Sequence, residues 1–135
     1  MIVVMIATML QATMPIDTLV QGSDSQIVER REVVVRSAND WQMLWKEHSS
    51  GPPPPVDFSN SVAAGVFLGS RPTAGYRVDV VTIRVEGNAV VIEYRERAPA
   101  PGALVAQIVT SPFHLVRLPR NVGAIQFRKV EAPVL

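Results

Sequence analysis

Apolar residues along this chain recur mainly at every second position, and Gly, Pro, Asn and Ser break the alternation at short, regular intervals. That is the pattern of short strands joined by turns. Residues 26–36 place Val28, Val33, Val34 and Val35 among Glu29, Arg30, Arg31 and Glu32, as suits a solvent-facing or edge strand. Residues 61–68 (SVAAGVFL) are apolar at both parities, so they predict a central strand covered on both faces. Gly65, lacking a side chain, leaves room there for a bulky neighbour such as a helix tryptophan. Residues 76–86 and 89–97 predict a hairpin around Gly87-Asn88, because glycine in first place supplies the positive φ of a type II′ turn. In the first arm Val78 and Val80 hold one parity and Ile83 and Val85 the other, so a bulge is expected near Val81. Residues 104–110, 114–118 and 124–130 predict three more strands.

One segment departs from the two-residue period. Ser37 can cap a helix in which Trp41, Leu44 and Trp45 form one apolar stripe, while Gln42, Lys46 and Glu47 face away. Asp40 suits the positive end of that helix and stands three residues after the cap, where it can reach back to it. Gly51 and the run Pro52-Pro53-Pro54-Pro55 stop the helix and predict a stiff connector. The pattern as a whole predicts an α+β, β-rich domain: an antiparallel β-sandwich or curled sheet of six to seven strands, with one helix packed on it through the tryptophans.

The first 22 residues read differently. The run MIVVMIATML is too short to span a bilayer and has the length of a signal-peptide apolar region, although no Lys or Arg precedes it; a buried first strand is the other reading. Residues 15–25 have the composition of a linker. The expected organisation is therefore a signal or truncated signal with linker over 1–22 and one folded domain over 23–135. A signal implies a secreted, periplasmic or cell-envelope setting.

Composition narrows the chemistry. Thirteen basic and twelve acidic residues leave a net charge of +1, which supplies no electrostatic drive toward nucleic acid. All the basic residues except Lys46 and Lys129 are arginine, scattered along the chain. The absence of cysteine removes disulfides, thiol chemistry and Cys-based zinc sites. The two histidines, His48 and His114, have no partner at metal-ligand spacing, and no HExxH, GxSxG, phosphate-loop or GxGxxG word is present. No catalytic residue, metal or cofactor is expected, and the domain reads as non-enzymatic. A hydrolase with an unrecognised site is the rival, since a Ser–His–Asp set is a geometry rather than a motif. His114 reads as a capping or edge residue rather than a base. The most unusual local word is Gly69-Ser70-Arg71-Pro72-Thr73-Ala74-Gly75-Tyr76, longer than a turn between two core strands requires. Pro72 and Gly75 would shape it, and Arg71 and Tyr76 would supply contacts. Residues Arg71, Pro72, Thr73, Ala74, Gly75 and Tyr76 are the candidate partner-binding loop, with a shaped connector as the alternative.

At these residues the chain resembles a known family. The stretch VAAGVFLGSRPTAGYRVDV over residues 62–80 resembles the C-terminal domain of the PrcB protease-complex subunit family, in which an apolar strand runs into a G-x-[KR]-P-T-[GA]-G-Y loop. Thr110-Ser111-Pro112-Phe113-His114-Leu115-Val116 is similar to that family's T-x-P-[YF]-H-x-V word, and Trp41-x-x-x-Trp45 to its helix. The resemblance implies a secreted or envelope-associated subunit that accompanies and stabilises a protease without catalysing a reaction. A smaller likeness links Pro72-Thr73-Ala74-Gly75-Tyr76 to the N-P-T-T-G-[YF] loop of chagasin-type inhibitors, with Arg71 and Ala74 departing from it. That likeness implies inhibition of papain-type cysteine proteases as the second function. Both imply a protein partner.

Overall fold

The computed structural model describes residues 12–131. Its strands are β1 (Thr13–Met14), β2 (Asp17–Gly22), β3 (Arg31–Val35), β4 (Ser61–Phe67), β5 (Arg77–Glu86), β6 (Ala89–Arg97), β7 (Phe113–Pro119) and β8 (Ala124–Lys129), with the helix α1 (Ala38–His48) between β3 and β4. They form two four-stranded sheets, here called sheet A, in the order β1-β5-β6-β8, and sheet B, in the order β2-β7-β4-β3. The sheets enclose a core of Val62, Ala64, Val66, Leu68, Val78, Val80, Ile83, Val90, Ile92, Tyr94, Val116 and Leu118. The helix lies on the other face of sheet B over Ala63, Phe67, Phe113 and Leu115. The β-rich sandwich with one packed helix is the expected fold class. Within it β8 runs parallel to β6, so sheet A is mixed rather than wholly antiparallel.

Sheet B is the middle layer, and this explains why residues 61–68 are apolar at both parities. Even-numbered β4 side chains enter the inter-sheet core, and Ala63 and Phe67 meet the helix. On the helix Trp41, Leu44 and Trp45 are buried as one stripe, with ring centroids of the tryptophans 5.5 Å apart. Ser37 Oγ accepts the Asp40 N–H at 3.2 Å, so Ser37 is the cap the sequence predicts. Trp41 Nε1 donates to the Pro54 carbonyl at 3.0 Å, which folds the proline connector back onto the helix.

Gly65 makes room for the neighbouring strand rather than for a tryptophan. A Cβ there would stand 2.1 Å from the His114 carbonyl oxygen and 2.7 Å from Leu115 Cδ2 of β7. The close approach arises because Gly65 pairs directly with Leu115. The hairpin forms as expected: Glu86 pairs with Ala89, Gly87 has φ +61°, and no non-glycine residue among those described has positive φ, which fits a type II′ and excludes a type I′ turn. The register slips between Val80 and Thr82, at the predicted bulge.

Two expectations need correction. Residues 15–25 are not all linker: β2 pairs along β7, and β1 pairs with β5, so one short crossing at Pro15-Ile16 carries the chain from sheet A to sheet B. The apolar run of residues 1–10 lies outside the described residues. Residues 104–110 form no strand beyond one bridge between Arg71 and Thr110. Their composition favours extended backbone, but a strand needs a partner along its length, and among the described residues these have backbone partners only at Ala106 and Thr110. Replacing Gly65 by alanine is expected to destabilise the fold by about 2–3 kcal/mol through this collision. Trp45→Ala should cost about 3–5 kcal/mol through the cavity it leaves. Urea unfolding followed by circular dichroism measures both.

Candidate functional site

Three connections meet at one end of the sandwich: β2–β3, β4–β5 and β6–β7. The register requires this, since Gly22 and Phe67 both pair with Phe113, Arg31 pairs with Phe67, and Arg77 pairs with Arg97. The candidate loop is the middle connection, and its neighbours brace it. Ser70 N–H donates to the Val28 carbonyl at 3.0 Å. Arg71 and Thr110 exchange both backbone hydrogen bonds, at 2.7 and 3.0 Å, and Ala74 N–H donates to the Ala106 carbonyl at 3.0 Å. Thr110 Oγ1 donates to the Thr73 carbonyl at 2.8 Å, and Thr73 Oγ1 to the Ala74 carbonyl at 2.8 Å.

The six candidate residues divide by exposure. Arg71 turns back into the protein: its Nε donates to Glu96 at 2.5 Å, and a terminal nitrogen reaches the Leu68 and Ser70 carbonyls. The pair is three-quarters buried, and the Arg71 hydrogen bond holds the Glu96 carboxyl below its usual range. Arg71 therefore shapes the loop in this structure. Pro72 and Gly75 are exposed, while Thr73, Ala74 and Tyr76 are half-buried. Gly75 has φ +93°, and a Cβ there would press on Pro99 and Val105 at 3.0–3.1 Å, so both conformation and space favour glycine. Gly75, Tyr76 and Arg77 border a shallow cleft of about 320 Å³ with Gln21, Gly22 and Ser23 on its other side. The β6–β7 connection adds Leu104, Ile108 and Val109, which are 103%, 59% and 72% exposed. The composition of these three gave no sign that they would lie outside a sheet.

His114 is neither a cap nor an edge residue. It lies on β7 in the middle sheet, 3% exposed, and points between the sheets. The Val80 N–H donates to its Nδ1 at 2.9 Å, so Nδ1 is unprotonated and Nε2 donates to Thr18 Oγ1 at 2.8 Å. Gln21 completes the arrangement by donating to the Val78 carbonyl at 2.9 Å and to Asp79 Oδ1 at 2.8 Å. Because β1 covers only Ile83 and Arg84, the start of β5 has no neighbouring strand on that side among the described residues. Side chains from sheet B satisfy its backbone instead. On the other side the Tyr94 hydroxyl donates to Glu32 at 2.6 Å and accepts from Arg30, tying β6 to β3. Burial raises the Tyr94 phenol above its ordinary range, with Glu32 adding to the effect and Arg30 opposing it.

The other hydroxyl–histidine contact is Ser25 Oγ with His48 Nδ1 at 2.8 Å. Both are buried, the hydroxyl also accepts the Ile27 N–H, and the imidazole is ringed by Trp45, Phe67 and Phe113. This pair anchors the end of α1 to the β2–β3 connection, which the Gln26 N–H bond to the His48 carbonyl reinforces. Among the described residues no three His, Asp or Glu side chains gather as a metal site, and no helix is long and apolar enough to cross a membrane.

The comparison with known families concerns this end of the molecule. Residues 62–119 match the PrcB C-terminal family. The PrcB match runs from the second residue of β4 to the end of β7, so it contains the candidate loop, the hairpin, the β6–β7 connection and His114. No curated protein and no solved structure matches the chain. The resemblance read from residues 62–80 and 110–116 falls inside the matched span, and the family is one of protease-complex-related domains.

Burial lowers the titration range of both histidines; at His114 the Asp79 charge opposes the shift and Arg77 adds to it, and at His48 the Asp24 charge opposes it. Below about pH 6.5 the unfolded chain then binds more protons than the folded one. The histidine contribution to stability is therefore full above that pH and is lost as pH falls toward the lowered native values. The expected result is a melting temperature that drops on acidification from pH 7 to 5, with a shallower drop in His114→Gln. Calorimetry across that range measures it.

Proposed function

We propose that this chain is a non-catalytic protein-binding domain that serves as an accessory or stabilising subunit of a protease, with the loop of residues 71–76 at the contact. The observation that carries the reading is the braced end of the sandwich. Three connections are held there by backbone and side-chain hydrogen bonds, and yet Pro72, Leu104, Ile108 and Val109 remain open to solvent. A surface ordered in advance loses less entropy on association, and exposed apolar side chains on such a surface supply the driving force. The PrcB C-terminal match supports the link to a protease complex. Arg71 acts on this reading as the residue that holds the loop, while Pro72 and Tyr76 meet the partner. A secreted or envelope setting belongs to the same proposal.

The test is affinity capture with the full chain from the native envelope fraction, with captured proteins identified by mass spectrometry. A protease or a component of its complex is the expected catch. Pro72→Ala with Tyr76→Ala should weaken that complex at least tenfold, or about 1.4 kcal/mol, with little change in melting temperature. Unchanged affinity removes the loop from the contact. Complete block of papain at stoichiometric amounts would instead favour chagasin-type inhibition, and turnover of ester or peptide substrates abolished by His114→Ala would favour the hydrolase.

A further inference from the structure

The outer face of sheet A is the one turned away from sheet B. At the start of β5 and the end of β6 that face has an unbalanced charge arrangement. Arg77 stands directly opposite Arg97, and Asp79 directly opposite Arg95. Residues paired across strands, and residues two apart along one, share a face, so these four form a single square. Three guanidiniums against one carboxylate leave a local charge of +2. Asp79 serves two of them: Arg77 Nε lies 2.8 Å from Oδ1, and Arg97 Nε 3.9 Å from Oδ2. Arg95 is left over. Its Nε is buried without a hydrogen-bond partner, and no described carboxylate lies within ion-pair distance of it.

Such an arrangement opposes folding. Like charges facing each other across a ladder repel, and a buried donor without an acceptor carries a desolvation penalty. An anion placed on the square would offset the repulsion. Arg77 and Arg97 remain more than half exposed, at 60% and 54%, so an incoming group can reach them. The square also adjoins the apolar part of the braced end. β6 runs from Arg97 directly into the β6–β7 connection, whose Pro99 and Val105 pack at Gly75. Along residues 104–109, Leu104, Ile108 and Val109 are exposed. The backbone there makes one hydrogen bond to the rest of the described chain, in which the Ala106 carbonyl accepts the Ala74 N–H. A segment with exposed apolar side chains and few backbone hydrogen bonds, beside a positive square, suits a strand-like partner that alternates apolar and acidic residues.

We propose that Arg77, Arg95 and Arg97 form a carboxylate receptor, and that the protein partner presents to it an extended acidic and apolar segment lying along residues 104–109. This rests on the protein-binding reading above and specifies the chemistry of the partner. Two surplus charges confined to one corner match one or two carboxylates, and planar guanidiniums bind that group bidentately. A nucleic acid would need basic side chains spaced along a track. Arg84 and Arg128, further along the same face, already share Glu93.

The probe is a fluorescently labelled eight-residue peptide alternating glutamate and valine, compared by anisotropy with its glutamine–valine counterpart on the full chain. The glutamate peptide should bind about tenfold more tightly at about 50 mM salt, with the difference shrinking at high salt. Arg95→Gln with Arg97→Gln should abolish that difference and leave the glutamine peptide unaffected. Arg117→Gln, whose side chain pairs with Asp17 on sheet B, should preserve it. Equal affinity of the two peptides, no binding of the glutamate peptide, or tighter binding to a short DNA duplex or to anionic vesicles overturns the proposal. A captured partner whose affinity falls with Pro72→Ala/Tyr76→Ala but not with Arg95→Gln/Arg97→Gln overturns this inference alone. Discrimination between the peptides without capture of any protein counts against the accessory-subunit reading alone.

Discussion

The burial of sheet B on both faces is the constraint on which the rest of this structure depends. A middle layer must be covered on both faces, and β4 and the first half of β7 are: Val62, Ala63, Ala64, Val66, Phe67, Leu115 and Val116 are wholly buried, and His114 is buried with its ring nitrogens hydrogen-bonded. One side receives sheet A and the other receives the helix, so two cores share a single two-stranded wall. The spacing between the wall strands is set at Gly65, where the backbone of β7 comes too near for any side chain. The loops leaving β4 and entering β7 start from this closely packed pair.

A wall of this kind leaves a difficulty at its margins. Sheet A is longer than its edge partner β1, and the unpaired start of β5 carries backbone groups that need partners away from water. Gln21 and His114 meet the need from the facing sheet, and Tyr94 makes the corresponding tie to Glu32 and Arg30 across the other side. These polar contacts lie at the end where the three connections gather. They orient the sheets relative to each other where a binding surface would have to hold its shape, a role that apolar contacts, being non-directional, fill less well. Firmly tied backbone beneath exposed Leu104, Ile108 and Val109 is an economical design for recognition, since the apolar groups are displayed without the support being soft.

The fold was legible where the local pattern and the tertiary requirement agree. The double-parity run in β4 gave away a strand covered on both faces; the phase change at Val81 gave away a bulge; Ser37 and the Trp41–Leu44–Trp45 stripe gave away the helix and its buried side. β2 was hidden because its edge position tolerates the polar Asp17, Thr18 and Gln21, and because two of these act inward on groups far along the chain. Residues 104–109 misled for the opposite reason. Their β-branched, apolar composition is that of a strand, and composition reports propensity without reporting whether a partner strand is within reach. At the candidate loop, the proline and glycine positions could be read as shape, but the direction of the Arg71 side chain could not, because its carboxylate partner is Glu96.

By itself the sequence determined the class of the fold, the helix, the hairpin with its turn type and bulge, and the similarity to the PrcB C-terminal family over β4 to β7. These features depend on periodicity, turn stereochemistry and short words, all of which are local. Only the tertiary structure decided that β8 is parallel, that residues 13–22 build both sheets, that His114 bridges them, and that Asp79 pairs with two of the three arginines around it. Each of those depends on which distant backbone or charge lies opposite a residue, and pairing across a sheet is set by how the whole chain minimises buried, unsatisfied polar groups.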